Sequence, residues 1–222
     1  VYPDKLMKVL REHWLANGVD FKYAETVSSC EKANVAVTKV ITNKQSYETD
    51  DVVIATGSWS REIAALVDAK ISLMPGRGYS LTLEDSIYKV NHPMILAEGR
   101  VAITPMDVNK IRFGGTMEVV PTTEKPQYHR INGVLKAVKD FLPEFDIAQP
   151  LEKDIWYGYR PCSADGLPYI GKIKKYNNVV IATGHSMMGL SLGPGTGKLV
   201  SEIINKVPTS IDIKAFEVER FK

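Results

Sequence analysis

The hexapeptide Val-Val-Ile-Ala-Thr-Gly occurs twice in this chain of 222 residues, at 52–57 and at 179–184. A short run of apolar, mostly β-branched residues that stops at glycine fits a strand buried on both faces, as in sheets covered by helices. The copies are too far apart and too isolated to be units of a repeat. Each instead marks a strand whose carboxyl end, at Thr56-Gly57 and Thr183-Gly184, lies where open α/β sheets hold their ligands. Convergence of buried strands on similar residues is the competing explanation.

The second copy runs on into Gly184-His185-Ser186-Met187-Met188-Gly189 and then Gly193-Pro194-Gly195, before an apolar stripe through Leu199, Val200, Ile203 and Ile204. A glycine turn opening a helix presents backbone N–H groups, here those of Met187, Met188, Gly189 and Leu190, to an anionic or electron-rich ligand edge. Gly189 is expected to need a positive φ or a close backbone approach. The Met187-Met188 pair fits core packing or a pocket wall equally well.

Elsewhere the pattern alternates between the two regular periods. Asp4 to Asn17 sets Leu6, Val9, Leu10 and His13 at helical spacing and ends at Gly18, a left-handed cap. Val19 to Val27 and Val35 to Thr42 are expected strands. Between the hexapeptides, Ser72 to Met74, Tyr79 to Leu83, Met94 to Ala97, Val101 to Thr104 and Lys110 to Phe113 suggest an antiparallel sheet. A loop at 121–126 precedes a helical stripe of Tyr128, Ile131, Leu135, Val138 and Leu142 that must stop before Pro143. The expected organisation is α/β plus α+β: an α/β domain made of 1–66 and 156–222, interrupted by an antiparallel-sheet α+β domain at 67–155.

Composition removes several functional classes. The formal net charge of +2 leaves no basic excess for nucleic acid, and no run of eighteen apolar residues exists to span a membrane. Cys30 and Cys162 lack metal-ligand spacing and form no disulfide framework, which fits two reduced thiols and a cytoplasmic location, with no metal site expected.

Two residues stand out as chemistry. Arg160, in Gly158-Tyr159-Arg160-Pro161, is expected where a strand hands over to a turn, and its planar fork suits a carboxylate. A structural pairing with Asp165 or with a turn carbonyl is the alternative. Tyr79, after Gly78, is a candidate pocket tyrosine, with a place in the core or on a sheet face as the alternative.

Gly158 to Gly189, with Gly-x-Arg-Pro, Asp-Gly-x-Pro-x-Ile-Gly, a strand and Gly-His-x-x-x-Gly in order, resembles the flavin-dependent amine and D-amino-acid oxidoreductases. The strand pair Arg100 to Thr104 and Lys110 to Gly115 is similar to the substrate domain of the D-amino-acid dehydrogenases, the branch this chain resembles most. The resemblance implies an FAD-binding domain of Rossmann type, interrupted by the substrate domain, and an amino acid substrate. It implies that Arg160 binds the substrate carboxylate, with Tyr79 as a catalytic candidate. Cofactor contacts would come from Val27, from Ala55, Thr56, Gly57 and Trp59, and from Gly184, His185, Met187, Met188, Gly189 and Leu190.

Reduced flavin carries negative charge near N1 and the C2 carbonyl, which a helix N-terminus stabilises. His185 is then positional, because hydride transfer from a neutral amine needs no histidine base. The dehydrogenase branch implies a quinone-linked electron acceptor and peripheral attachment at a bacterial inner membrane. An oxidase of glycine, sarcosine or hydroxyproline is the alternative.

The family's Gly-x-Gly-x-x-Gly pyrophosphate turn has no counterpart here, so the Rossmann-like domain is incomplete. The chain is therefore expected to be the C-terminal portion of a longer flavoenzyme. By itself it would be a domain without flavin.

Overall fold

A computed structural model describes residues 2–221. The chain opens with helix α1 (Pro3–Ala16), followed by the meander β1 (Val27–Ala33), β2 (Ala36–Thr42) and β3 (Ser46–Glu48). Strand β4 (Val52–Ile54) and helix α2 (Ser60–Ala65) lead into the long β5 (Leu73–Leu83). Strands β6 (Met94–Leu96), β7 (Val101–Pro105) and β8 (Ile111–Val119), helix α3 (Ile131–Phe141) and β9 (Ile155–Ser163) complete the central part. Strands β10 (Tyr169–Lys172) and β11 (Val179–Thr183) and helix α4 (Gly189–Ile204) close the fold.

The two hexapeptides are neighbours. β11 pairs with β4 in parallel, Val179 opposite Val52, Val180 opposite Val53 and Ile181 opposite Ile54, so equivalent residues lie side by side. β10 flanks β11 in antiparallel sense and completes a mixed three-stranded sheet. The larger sheet is antiparallel throughout, in the order β6-β7-β8-β5-β9. Val179, Val180 and Ile181 of the central strand are fully buried, as expected. β4 is an edge strand, and Val53 on its far face is 41 % exposed, so the expectation of complete burial holds for one copy only.

Each sheet has its own core. Ile54, Ala64, Val67, Leu73, Tyr169, Val179 and Ile181 pack beneath the mixed sheet, together with Val37 from the meander. The Asn178 side-chain amide ties the meander on, accepting from Val37 N–H at 2.9 Å and donating to the carbonyls of Val37 and Asp50 at 2.7 and 2.8 Å. The second core fills the space between α3 and the five-stranded sheet with Tyr79, Ile103, Phe113, Ile131, Val134 and Val138. β5 belongs to both regions, since Leu73 lies in the first core and Leu81 in the second, where Ile155 of β9 joins it.

Three expected strands differ from those found. Residues 19–26 form no strand, because no described strand pairs with them; Phe21 stacks on Tyr23 and meets Trp14 at a tilt instead. Ser72 to Met74 and Tyr79 to Leu83 are one strand, which runs straight through Pro75-Gly76-Arg77-Gly78. Pro75 faces Pro161, so neither proline deprives a donor-dependent partner of its bond. β9 likewise continues through Pro161, placing Arg160 inside a strand and not at a handover to a turn. Helix α1 forms where its periodicity indicates, yet none of its described residues is buried.

One buried charge network pins the large sheet to the loop at 120–127. Arg77, 1 % exposed, gives Nε to Glu118 Oε1 at 2.6 Å and its two terminal nitrogens to the carbonyls of Glu124 and Lys125 at 2.6 and 2.9 Å. Tyr79 Oη donates to the same carboxylate at 2.6 Å and accepts from Gln127 N–H at 2.7 Å, while Arg130 Nε reaches Glu118 Oε2 at 3.0 Å. Burial alone would raise the Glu118 carboxyl, but hydrogen bonds from Tyr79, Arg130 and Arg77 outweigh it and hold the group at about 2.

A carboxyl whose folded value lies below its ordinary 4.5 adds stability above that pH and loses it as pH falls toward 2. Glu118→Gln, which strands Arg77, is expected to destabilise the protein by about 3–5 kcal/mol at pH 7. Denaturant titrations at pH 7, 4.5 and 3 should show this difference shrinking with acid.

Candidate active site at the junction of the two sheets

Parallel pairing of β4 and β11 brings the ends of the two hexapeptides together. Gly57 and Gly184 both adopt positive φ, +58° and +86°, which explains why each copy ends in glycine. A hydroxyl chain links the two turns: Thr56 Oγ1 donates to Ser60 Oγ at 3.1 Å, Ser60 Oγ to Thr183 Oγ1 at 2.9 Å, and Thr183 Oγ1 to the Gly57 carbonyl at 3.2 Å. Each turn then enters a short 3-10 segment, Gly57–Trp59 and Ser186–Met188, the first leading to α2 and the second to α4.

Both turns touch β9. Cys162 forms an isolated antiparallel bridge with His185, and its Sγ lies 3.6 Å from Ser186 Oγ. The Trp59 ring meets Tyr159 edge-on, with centroids 6.2 Å apart. Arg160 therefore sits between residues that contact the first and the second turn. A cleft of about 950 Å³, lined in part by Arg61, Met74 and Cys162, opens this end of β9 to solvent.

Among the described residues, the Arg160 side chain has no hydrogen-bond or ion-pair partner. Its Nη1 is buried without a hydrogen bond, and its guanidinium forms no ion pair with a described residue. Asp165, the alternative partner, is taken by Arg220 in a two-pronged pair at 2.8 Å on each arm, and that hydrogen bonding holds its carboxyl down at about 2. The guanidinium of Arg160 instead lies flat on Gly78, where an added Cβ would stand 2.0 Å from Nη1. Gly158, opposite Gly78, is roofed in the same way by the ring of Trp156. These glycines, which look like strand breakers in sequence, form the floor beneath two large side chains.

Several expectations change. Gly189 has φ −56° and is ordinary helix, so the positive φ of this turn belongs to Gly184 and Ser186. Among the N–H groups expected to face a ligand, that of Met188 already donates to the His185 carbonyl at 2.9 Å. Tyr79 is 1 % exposed, with its hydroxyl bonded on both sides within the Glu118 network, so it occupies the core and not a pocket. Met187 and Met188 are 71 % and 54 % exposed, which removes core packing as their role.

Of the other candidates, Ala55, Thr56, Trp59 and Leu190 are exposed around the two turns. Val27 begins β1 in the separate meander, not in the sheet that carries the turns. His185 Nε2 lies 2.8 Å from Thr196 Oγ1, and burial lowers its pKa, which fits a neutral, positional imidazole. Sequence reasoning missed Trp156 and Arg112 on the open face of the large sheet. The signal was present, since Arg112 alternates with the buried Ile111 and Phe113.

Comparison with known proteins agrees with this geometry. The model of the FAD dependent oxidoreductase (DAO) family matches residues 1–203. The chain belongs to that family. It is 31 % identical over 225 residues to a D-amino acid dehydrogenase of Neisseria gonorrhoeae, covering 100 % of this chain and 52 % of that protein. It is 27 % identical to a D-amino acid dehydrogenase of Helicobacter pylori over 91 % of this chain and 48 % of the relative. The chain thus spans about half the length of the curated relatives it matches.

Among solved structures, L-proline dehydrogenase from P. horikoshii aligns with TM-score 0.81 and 26 % identity, over 93 % of this chain and 56 % of that one. Glycine oxidase from Geobacillus kaustophilus aligns with TM-score 0.80 and 23 % identity, over 91 % and 53 %. The fold is the mixed α/β fold of this family, without a closed barrel. Gathered at one end of the mixed sheet are two glycine turns side by side, the start of a sixteen-residue helix, exposed Trp59, Met187, Met188 and Leu190, and the guanidinium of Arg160 close by.

If Gly78 is the floor on which Arg160 rests, Gly78→Ala must displace the guanidinium while the open face gives it room to move. The FAD-loaded enzyme containing this chain should then lose at least about tenfold in kcat/KM with its unfolding midpoint near wild type. Parallel kinetics and thermal denaturation check the pair of outcomes.

Proposed function

We propose that this chain forms the substrate-binding sheet and the flavin-ring end of an FAD-dependent dehydrogenase. The enzyme oxidises a D-amino acid to the imino acid, which hydrolyses to the keto acid and ammonia. The observation that carries this reading is the partly buried, unpaired guanidinium of Arg160 beside two glycine turns. A buried cation without a counter-charge is costly, and a substrate carboxylate held in two parallel hydrogen bonds removes that cost. The family match and the D-amino acid dehydrogenase relatives support the choice of substrate class.

FAD, when bound, supplies the hydride acceptor. Gly57 and Gly184, both at positive φ, would shape the turns that hold it, and the start of α4 would favour negative charge at that edge by roughly 0.3–1 kcal/mol. Trp59, Met187, Met188 and Leu190 form the apolar rim that excludes water. His185, neutral and held by Thr196, fixes the turn against β9 and takes no proton. Arg160 anchors the carboxylate and so sets which face of the substrate's α-carbon is presented. Electrons leave for a quinone-linked acceptor.

In the FAD-loaded enzyme, Arg160→Ala is expected to lower kcat/KM on an α-amino acid by roughly a hundredfold or more, since losing a charge-paired contact costs about 2–5 kcal/mol. Arg160→Lys should restore part of this, because an ammonium supplies charge without the two-pronged geometry. The decarboxylated amine should be nearly indifferent to both changes. Equal losses on amino acid and amine would assign Arg160 to the fold or to the flavin.

A further inference from the structure

The open face of the large sheet carries a second arginine that the reaction described above does not use. Arg112 of β8 lies opposite Thr82 of β5, and Gly114 opposite Ser80, so Arg112 projects from the side opposite the buried Ile111, Phe113 and Tyr79. Gly78 and Gly158 put the guanidinium of Arg160 and the ring of Trp156 on that same side. Arg112 Nη2 donates to Ser80 Oγ at 2.8 Å, and its guanidinium stands 5.0 Å from the centre of the Trp156 ring. No carboxylate of a described residue pairs with Arg112, as none pairs with Arg160.

One guanidinium is therefore held at Ser80 and the other over Gly78, two residues apart on β5. Two residues of strand correspond to about 7 Å. Trp156, 60 % exposed, has its ring over the neighbouring Gly158 and forms a flat apolar wall beside them. Two uncompensated cations at this separation on a sheet face repel each other, and a ligand with a negative charge for each offsets that repulsion most fully. The spacing suits a short molecule with a carboxylate at each end and methylene groups against the indole.

We propose that Arg112, positioned by Ser80 and Trp156, is the side-chain subsite of this enzyme and selects amino acids with an acidic side chain. The inference rests on the function proposed above: Arg160 takes the α-carboxylate and Arg112 takes the distal one. A charge-assisted pair against an uncharged amide isostere discriminates by tenfold or more.

The test compares D-glutamate with D-glutamine, and the unreactive dicarboxylate glutarate with butyrate, using the FAD-loaded enzyme. Wild type should prefer D-glutamate at least tenfold in kcat/KM and bind glutarate at least tenfold more tightly than butyrate by calorimetry. In Arg112→Met, which keeps the aliphatic stem beside Trp156, both ratios should fall at least tenfold. Arg112→Glu should invert the preference, favouring D-ornithine over D-glutamate.

If the enzyme prefers D-glutamine, or if both ratios are unmoved in Arg112→Met and Arg112→Glu, the subsite assignment is wrong while the amino-acid reading stands. If no amino acid of either hand is oxidised, the proposed function fails. Tight glutarate binding lost in Arg112→Met would then still establish the paired-anion site.

Discussion

Everything at this site depends on the register of β5 against β9. That ladder sets Arg77 beside Tyr159, Gly78 beside Gly158 and Gly76 beside Arg160. Because side chains alternate across a sheet, the two arginines face opposite ways. Arg77 goes inward, where Glu118 and two carbonyls satisfy it, and it becomes a structural tie. Arg160 goes outward onto a glycine floor, where its guanidinium meets no hydrogen-bond or ion-pair partner among the described residues. The same residue type is thus satisfied by the protein on one face and left without a described partner on the other. A slip of β9 by one residue would turn Arg160 inward and leave an unpaired charge inside the core.

The second constraint is the parallel pairing of the repeated hexapeptide. Identical strands in register end at the same height, so two positive-φ glycines and two helix starts arrive together, cross-linked by Thr56, Ser60 and Thr183. β9 reaches this point through Cys162 and Tyr159, which joins the substrate-type sheet to the turns. The free edge of β4, the exposure of Val53 and the uncovered apolar side chains of α1 lie in a chain that spans about half the length of its curated relatives.

Much of this was legible in the sequence. The glycine endings of the hexapeptides and the helical stripe before Pro143 were found much as read, because each rests on local periodicity or on a turn tied to one backbone geometry, whereas Arg160 lies inside a strand and not at its handover to a turn. What escaped reading depended on partners distant in sequence. Pro75, Gly76 and Gly78 look like breakers, yet they lie mid-strand because Arg160, Met117 and Cys162 lie over the glycines. Residues 19–26 alternate like a strand but have no strand to pair with. Tyr79 follows a glycine in what looked like a pocket setting, and only the three-dimensional position of Glu118 shows that its hydroxyl is already engaged.

The central claim is that Arg160 lacks a protein partner because a substrate carboxylate is its partner. A crystal structure of the FAD-loaded enzyme with an unreactive amino acid analogue tests it most directly. The account expects both carboxylate oxygens of the analogue within about 2.7–2.9 Å of the Arg160 guanidinium nitrogens, over Gly78. An analogue bound elsewhere, with Arg160 paired to a carboxylate of the protein, would contradict it.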